Sequence, residues 1–333
     1  MTTVLVRGGG IAASCCAHLL RQAGLPVAVQ AANRPRLPAI MLTATTQYLL
    51  QDVFEASDLF KGLHRIRRRA VAWGEKTNPV VVPHSALVIS EQMVLDRINL
   101  EAAPGDWEPA DPAEWTIIAA REPTQFSEHN FGARTASATQ VTIRDEAASD
   151  ACWIESQPEG WLFLLPIGPL EGWLLSVGAP VESMLAASRF IGGNIAEIQQ
   201  GSSRFSSHPR IAEPLAGPGW IACGTAALGF DPLCGDGAGH ATREAILAAA
   251  MIRAANKGAD TESLIEHYRM RLLAGFRRHL EVCRDFYQSG HSGPWWNQQV
   301  LDLNRGLEWS EQQLRQFPGF RYRLNGFSLE ALS

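Results

Sequence analysis

The chain has 333 residues, 46% of them apolar and 19% charged, with a formal net charge of −5. That composition can fill a large core, and the mild acidity argues against general nucleic-acid binding. Six scattered cysteines without a CxxC pair argue against a structural zinc or a redox dithiol and suit a reducing cytoplasm, so no metal is expected.

In chain order, Val4-Leu5-Val6 reads as a short buried strand that leaves no room for a secretory leader ahead of it. Gly8-Gly9-Gly10 is a turn, Ala12 to Gln22 a helix, and Val27 to Gln30 a second strand, parallel to the first by the handedness of βαβ units. Pro35 and Pro38 then interrupt regular structure, and Leu42 to Phe54 has helical spacing. The basic run Arg65 to Arg69 reads as a solvated strand or loop edge. Two β-rich stretches come after it, Ala70 to Trp73 and Val80 to Val82, and Ser90 then caps a helix through Leu95 and Ile98. Thr116 to Ala120 is apolar throughout, as in a central parallel strand. Residues 138 to 180 predict a meander of strands at Thr139–Ile143, Cys152–Glu155, Trp161–Leu165 and Trp173–Val177. A strand at Trp220–Cys223 ends at Gly224, and a long helix starts near Gly239. Arg253 interrupts the most apolar helix, and no segment approaches the roughly 20 apolar residues of a membrane span. From Thr261 onward the pattern is helical and rich in aromatic residues.

Two segments carry chemistry. Gly8-Gly9-Gly10-Ile11-Ala12-Ala13 satisfies GxGxxG/A between a strand and a helix. Gly8 permits the turn, Gly10 lets a pyrophosphate approach, and Ala12 and Ala13 open the helix, whose free N–H groups face the phosphates. The acidic residue that should hold the ribose at the end of the second strand is absent; Gln30 and Ala31 stand there, and Gln30 is the remaining candidate. The second segment runs from Gly224 to Ala241 and contains Asp231-Pro232-Leu233-Cys234-Gly235-Asp236-Gly237-Ala238. Its glycines invite close backbone approach by a ligand at a helix N-terminus.

Together these segments resemble the FAD-dependent monooxygenase superfamily, and within it the flavin-dependent tryptophan-halogenase-like branch, which includes flavoproteins that mature protein-derived quinone cofactors. The resemblance implies an α/β fold. A Rossmann-like, glutathione-reductase-type FAD domain would be discontinuous over 1–63, 91–135 and 205–260. A β-rich substrate domain would be inserted at 64–90 and 136–204, with a helical region over 261–333. It implies FAD contacts at Gly8, Gly10, Ala12, Ala13, Gln30, Asp231, Pro232, Gly235, Gly237 and Ala238, with Asp231 on the ribityl chain. It also implies hydroxylation of a tryptophan-like ring, free or on a peptide or protein, through a flavin C4a-hydroperoxide. A reductase or dehydrogenase of an apolar substrate, and a non-catalytic flavin-binding maturation partner, are the competing readings.

Several family positions depart from the pattern. Thr225 replaces the Asp of the usual Gly-Asp, Glu91 replaces an Arg, and Arg121-Glu122-Pro123 replaces an Asp-Gly element used in flavin and NADPH binding. The last change leaves room for a separate flavin reductase. Trp161 to Pro166 only partly matches the halogenase WxWxIP, and Arg65 stands where halogenases carry their lysine, which argues against halogenation. The chemical candidates are His84 and Glu91, flanking a strand-to-helix junction at Ser85–Ser90, and Asp236 in the glycine-rich loop. Their ordinary alternatives are a turn histidine, a first-turn helix charge and a helix cap. Cys234 reads as a small packing residue.

Overall fold

The structure, a computed structural model, describes residues 2–32, 35–75, 78–99, 112–122 and 126–332. Residues 100–111 and 123–125 of the expected 91–135 segment, Pro123 among them, lie outside the described residues.

The first half of the chain carries β1 (Val4–Arg7), α1 (Ile11–Gln22), β2 (Val27–Gln30), β3 (Ile40–Thr43), α2 (Ala44–Phe54), β4 (Ile66–Ala72), β5 (Val80–Ile89), α3 (Glu91–Asn99), β6 (Trp115–Ile118), β7 (Ser127–Asn130) and β8 (Thr135–Ile143). The middle comprises β9 (Ala151–Gln157), β10 (Gly160–Pro166), β11 (Glu171–Gly178), α4 (Val181–Ala187), α5 (Ile191–Asn194), β12 (Ile195–Ser206), β13 (Arg210–Glu213), β14 (Ala216–Gly217), β15 (Trp220–Ala222) and β16 (Leu228–Gly229). The end is built from α6 (Gly237–Asn256), α7 (Thr261–Gln288), α8 (Pro294–Leu314), β17 (Tyr322–Asn325) and β18 (Ser328–Ala331).

A five-stranded sheet runs β14-β15-β6-β1-β2. All its pairs except the short β14–β15 edge are parallel, with Val4 opposite both Val27 and Trp115. The apolar run at 116–120 thus forms a strand flanked on both sides, as its lack of alternation predicts. Strand order reverses around β1, which opens the crevice where such sheets bind ligands. Helix α1 packs on α6, with Cys16 Sγ 3.7 Å from the Ala245 carbonyl.

The eight-stranded sheet runs β12-β8-β11-β10-β9-β4-β5-β3. Strands β9, β10 and β11 form the expected meander. Strand β8 does not join it beside β9; it lies outside β11, because the outer edge of β9 is taken in parallel by β4. Every residue of β10 is buried. Trp161, Phe163 and Leu165 enter the main core, whereas Leu162 and Leu164 enter a smaller one with Val181, Met184 and Ile191 of α4 and α5. A strand covered on both faces has no polar face, so its sequence cannot alternate.

Capping side chains set the helix starts. Thr43 accepts from the Thr46 amide ahead of α2, Ser90 Oγ from the Met93 amide ahead of α3 (3.1 Å), and Asp260 from the Ser263 amide ahead of α7. Two expectations are corrected. Ser85 to Ile89 continues β5 rather than forming a junction, because these residues pair with β3 through Ala86–Ile89. The tail also ends in a hairpin, β17–β18, turned at Gly326 with φ 55° and tied to α6 by Arg253 Nη1 on the Phe327 carbonyl (2.9 Å).

Candidate functional site

The turn after β1 is shaped for a ligand backbone. Gly8 has φ 144°, and a Cβ there would lie 3.1–3.2 Å from Ala119 and Ala120. Its amide donates to the Gln30 carbonyl at 2.9 Å, so β2 holds the turn from one side. Gly10 occupies the N-cap of α1, and no side chain caps that terminus among the described residues. The first-turn amides around Ile11, Ala12 and Ala13 therefore face outward with the positive end of the helix dipole behind them. Sequence reasoning missed Arg36, whose Nη1 donates to the Gly9 carbonyl at 2.6 Å and sets a cation at the turn. Gln30 has an exposed side chain at the end of β2.

The loop after β15 closes over the same edge. Gly224 has φ 56°, and a Cβ there would come within 2.8 Å of Ala12 Cβ, so the loop lies directly on the first turn of α1. Thr225 is exposed beside it. Farther on, Gly235 is left-handed at φ 60°, with Met41 and Phe163 next to its missing side chain. Asp236 is the N-cap residue of α6 without a capping bond, and space beside Gly237 is open within 4 Å. A second helix N-terminus, through Gly237 and Ala238, is thereby left to offer its amides.

Asp231 and Pro232 begin this loop, but Asp231 does not present a carboxylate to a ribityl chain. Its side chain is turned into the core, where Oδ2 accepts from Arg134 Nη2 at 2.7 Å and from the Tyr287 hydroxyl at 2.9 Å, and Oδ1 accepts from the Leu233 amide at 2.9 Å. Gln299 Oε1 holds the other arm of Arg134 at 2.6 Å, and Trp161 Nε1 donates to Tyr287 at 3.1 Å. Asp231 shapes the loop rather than facing it.

The three chemical candidates go to three different tasks. Glu91 is buried and braces residues 35–39, accepting from the Leu37 amide at 3.0 Å and donating its own amide to the Leu37 carbonyl at 3.0 Å. That brace carries Arg36 to its place. Asp236 accepts from Thr46 Oγ1 at 2.6 Å and from Arg243 Nη2 at 2.5 Å, locking α6 to α2. His84 lies within β5, half-buried, and its Nε2 has no partner among the described residues. Burial, then the Arg69 charge, holds His84 below the usual histidine range, so it is neutral at pH 7. Arg69 itself was missed within the basic run. Arg65, Arg67 and Arg68 are exposed, but Arg69 turns inward, 5.3 Å over the Phe163 ring with Nη2 3.4 Å from the Leu233 carbonyl.

The rewritten charges have partners of their own. Arg121 makes a bidentate pair with Glu128 at 2.6–2.7 Å, and this contact, against the opposing effect of burial, holds Arg121 raised and Glu128 lowered. Arg210 bonds Glu128 at 3.2 Å and also holds the Thr225 carbonyl; burial, then the Arg121 charge, lowers it to about 10. Behind Gly224, Glu244 Oε2 accepts the Gly224 amide at 2.8 Å, while Oε1 has no partner among the described residues. Burial pushes this carboxyl up to about 8.

Beyond the loop lies a cleft of about 870 Å³ lined by Phe230, Cys234, His240, Arg243, Glu244 and His279, among others. Here the fold brings Cys234 beside His279 and Cys283 of α7, a grouping that no CxxC spacing announces.

No protein-family model and no curated protein matches the chain. Solved structures match it in fold. The peptidyl tryptophan dihydroxylase QhpG, described as essential for tryptophylquinone cofactor biogenesis, superposes with a TM-score of 0.74 over 99% of this chain and 86% of its own, at 15% identity. The flavin-dependent halogenase CmlS gives 0.72 over 95% and 71%, at 16% identity. HpxO from Klebsiella pneumoniae, in an R204Q form complexed with FAD, gives 0.63 over 95% and 94%, at 15% identity. The chain shares its fold with this tryptophan dihydroxylase, this flavin-dependent halogenase and FAD-complexed HpxO.

Proposed function

We propose that this chain binds FAD and acts as a monooxygenase-type oxidoreductase, adding oxygen to an electron-rich, tryptophan-like ring, free or borne on a peptide or protein. The observation that carries the reading is the pair of uncapped helix N-termini, α1 directly after the glycine turn of β1 and α6 at the end of the glycine-rich segment that leaves β15. The residues fit a dinucleotide: Gly8 and Gly224 hold positive φ and pack tightly against Ala119 and Ala12, and Arg36 sets a positive charge beside the turn, where a pyrophosphate would lie.

When bound, FAD would supply two-electron redox chemistry and oxygen activation. The amides of α1 and Arg36 would hold the pyrophosphate, and those of Gly237 and Ala238 would stabilise negative charge on the ring system. Arg69, Phe163 and Met41 would form the wall facing the loop and exclude water from it. His84 is neutral, and its buried Nε2, without a protein partner among the described residues, would hydrogen-bond a substrate N–H or hydroxyl that reached it. Arg121, held by Glu128 of β7, stands at the position of the family's Asp-Gly element, which supports a separate reductase as electron donor.

The purified protein is expected to be yellow, with absorption near roughly 450 nm; colourless protein that cannot be reconstituted with FAD would sink the reading. Gly8→Val forces a side chain into Ala119 at a positive φ and should weaken FAD at least about a hundredfold, or roughly 2.7 kcal/mol. Arg36→Ala removes one charge-assisted contact and should weaken FAD about tenfold, with a shallower salt dependence, measured by flavin fluorescence titration. Under anaerobic conditions NADPH alone should reduce the flavin slowly, and an added flavin reductase should speed the reaction. Fast reduction by NADPH alone would place the donor site in this chain. Incorporation of label from ¹⁸O₂ into a tryptophan-containing peptide tests the chemistry, and a product without label would favour the reductase reading.

A further inference from the structure

We propose that Cys234 and Cys283 form a peroxide-reactive thiol pair that closes to a disulfide, bridging the glycine-rich loop to α7. Their Sγ atoms lie 3.7 Å apart, a short approach from the roughly 2.05 Å of a disulfide. Cys234 is half-buried and lines the cleft of about 870 Å³, so a small oxidant reaches it; Cys283 is buried behind it.

His279, one turn before Cys283 on α7, decides which chemistry this trio suits. The ligand atoms of Cys234, His279 and Cys283 all lie within 4.8 Å of one another, close enough for a metal. However, the Asp231 amide donates to His279 Nε2 at 2.9 Å, and Nε2 is also the ring nitrogen nearer to Cys283 Sγ, at 3.4 Å against 3.9 Å for Nδ1. That lone pair is spent, and the ring hydrogen of the neutral imidazole sits on Nδ1. A metal-bound histidine turns its second nitrogen, as a donor, toward a carbonyl or carboxylate. Coordination here would leave a buried backbone amide without its acceptor, so the arrangement suits thiols.

The pair is also polarised. The hydrogen bond from Cys283, opposed by burial and aided by His279, pulls the Cys234 thiol down to about 6, whereas burial, then its bond to Cys234, pushes Cys283 up. Cys234 thus carries the thiolate at neutral pH and Cys283 keeps its proton. With hydrogen peroxide as oxidant, the Cys234 thiolate attacks one oxygen, the O–O bond breaks, and the products are a Cys234 sulfenic acid and hydroxide. Cys283 sulfur then attacks Cys234 sulfur; the S–O bond breaks as the S–S bond forms, and the thiol proton leaves with the hydroxyl as water. The two sulfurs lose two electrons in total, and the peroxide takes them. The bridge would fix the loop carrying Gly235 to α7.

The test uses the full chain as purified, reduced, and with and without bound flavin, so that its outcome is independent of cofactor binding. Hydrogen peroxide followed by thiol alkylation and peptide mapping should show a Cys234–Cys283 cross-linked peptide, reversed by dithiothreitol. At pH 7, Cys234 should alkylate at least about tenfold faster than buried Cys152, with a pH midpoint well below the roughly 8.5 of a free thiol. Cys283→Ser should accumulate a dimedone-trapped sulfenic acid on Cys234, and Cys234→Ser should leave Cys283 unoxidised. Three outcomes overturn the proposal: a sulfenic acid on Cys234 without a bridge in the unsubstituted protein, a Cys234 no faster than Cys152, or one equivalent of zinc that is lost in Cys283→Ser.

Discussion

Replacing Arg134 with methionine is expected to lower the unfolding free energy by about 3–5 kcal/mol, the cost of removing one partner from a buried ion pair. The Arg134 and Asp231 side chains are only 2% and 0% exposed and meet at 2.7 Å. The guanidinium also lies 4.6 Å over the Tyr287 ring, a contact that methionine fills without its charge. Asp231 would keep the Leu233 amide and the Tyr287 hydroxyl, but neither supplies a countercharge. Because Asp231 opens the glycine-rich loop, Arg134→Met should also lower flavin retention. The double replacement Arg134→Met with Asp231→Asn removes both charges and should recover much of the lost stability. Urea unfolding of the three proteins decides the matter; an unchanged midpoint in Arg134→Met would mean that the pair does not seat the loop.

Glu244→Gln is expected to remove a pH dependence of stability. The carboxyl has an ordinary value of 4.5 and is pushed up to about 8 by burial in the folded chain. Below pH 4.5 both states hold the proton, so the shift contributes nothing. Between 4.5 and 8 the folded state keeps a proton that the unfolded chain has released, and stability falls as pH rises. Above 8 the loss is complete, because the folded chain then carries a buried carboxylate. At about 1.4 kcal/mol per pKa unit, the total amounts to a few kcal/mol. Glutamine keeps an acceptor for the Gly224 amide and carries no titrating proton. Thermal unfolding at pH 4.5, 6 and 9 should therefore show the variant's advantage growing with pH, already present at 6 and largest at 9; equal slopes for the two proteins would refute the assignment.

The parts of the site that depend on local backbone chemistry were legible in the sequence. Gly8 and Gly235 announce turns because few other residues fit their positive φ, and Thr116 to Ala120 announces a central strand by its lack of alternation. The parts that depend on which way a side chain turns were not. Arg69 is indistinguishable in sequence from exposed Arg67 and Arg68, and only a register irregularity in the β4–β5 pairing between Ile66 and Arg68 precedes its inward turn. Asp231 carries the family's motif, yet its carboxylate is claimed by Arg134, 97 positions away. Likewise, Cys234 and Cys283 are separated by 49 positions and meet only through the docking of α7 on the loop. The terminal hairpin is a different case. Its Asn325-Gly326 signal was present but short beside the helical pattern around it.

Strand β3 has a consequence for how the molecule divides. Residues 40–43 come directly after the first βαβ unit, yet they pair in register with β5 at the edge of the eight-stranded sheet, and Thr46, just beyond, is bonded to Asp236 at the start of α6. The two sheets are thus not modules joined by a tether; the chain is sewn from one into the other before either is complete. Excising 1–63 would leave one fragment lacking an edge strand and the other an unpaired one. Limited proteolysis should accordingly yield no autonomous nucleotide-binding fragment, and ancestral gain or loss of the large sheet would have had to carry these four residues along.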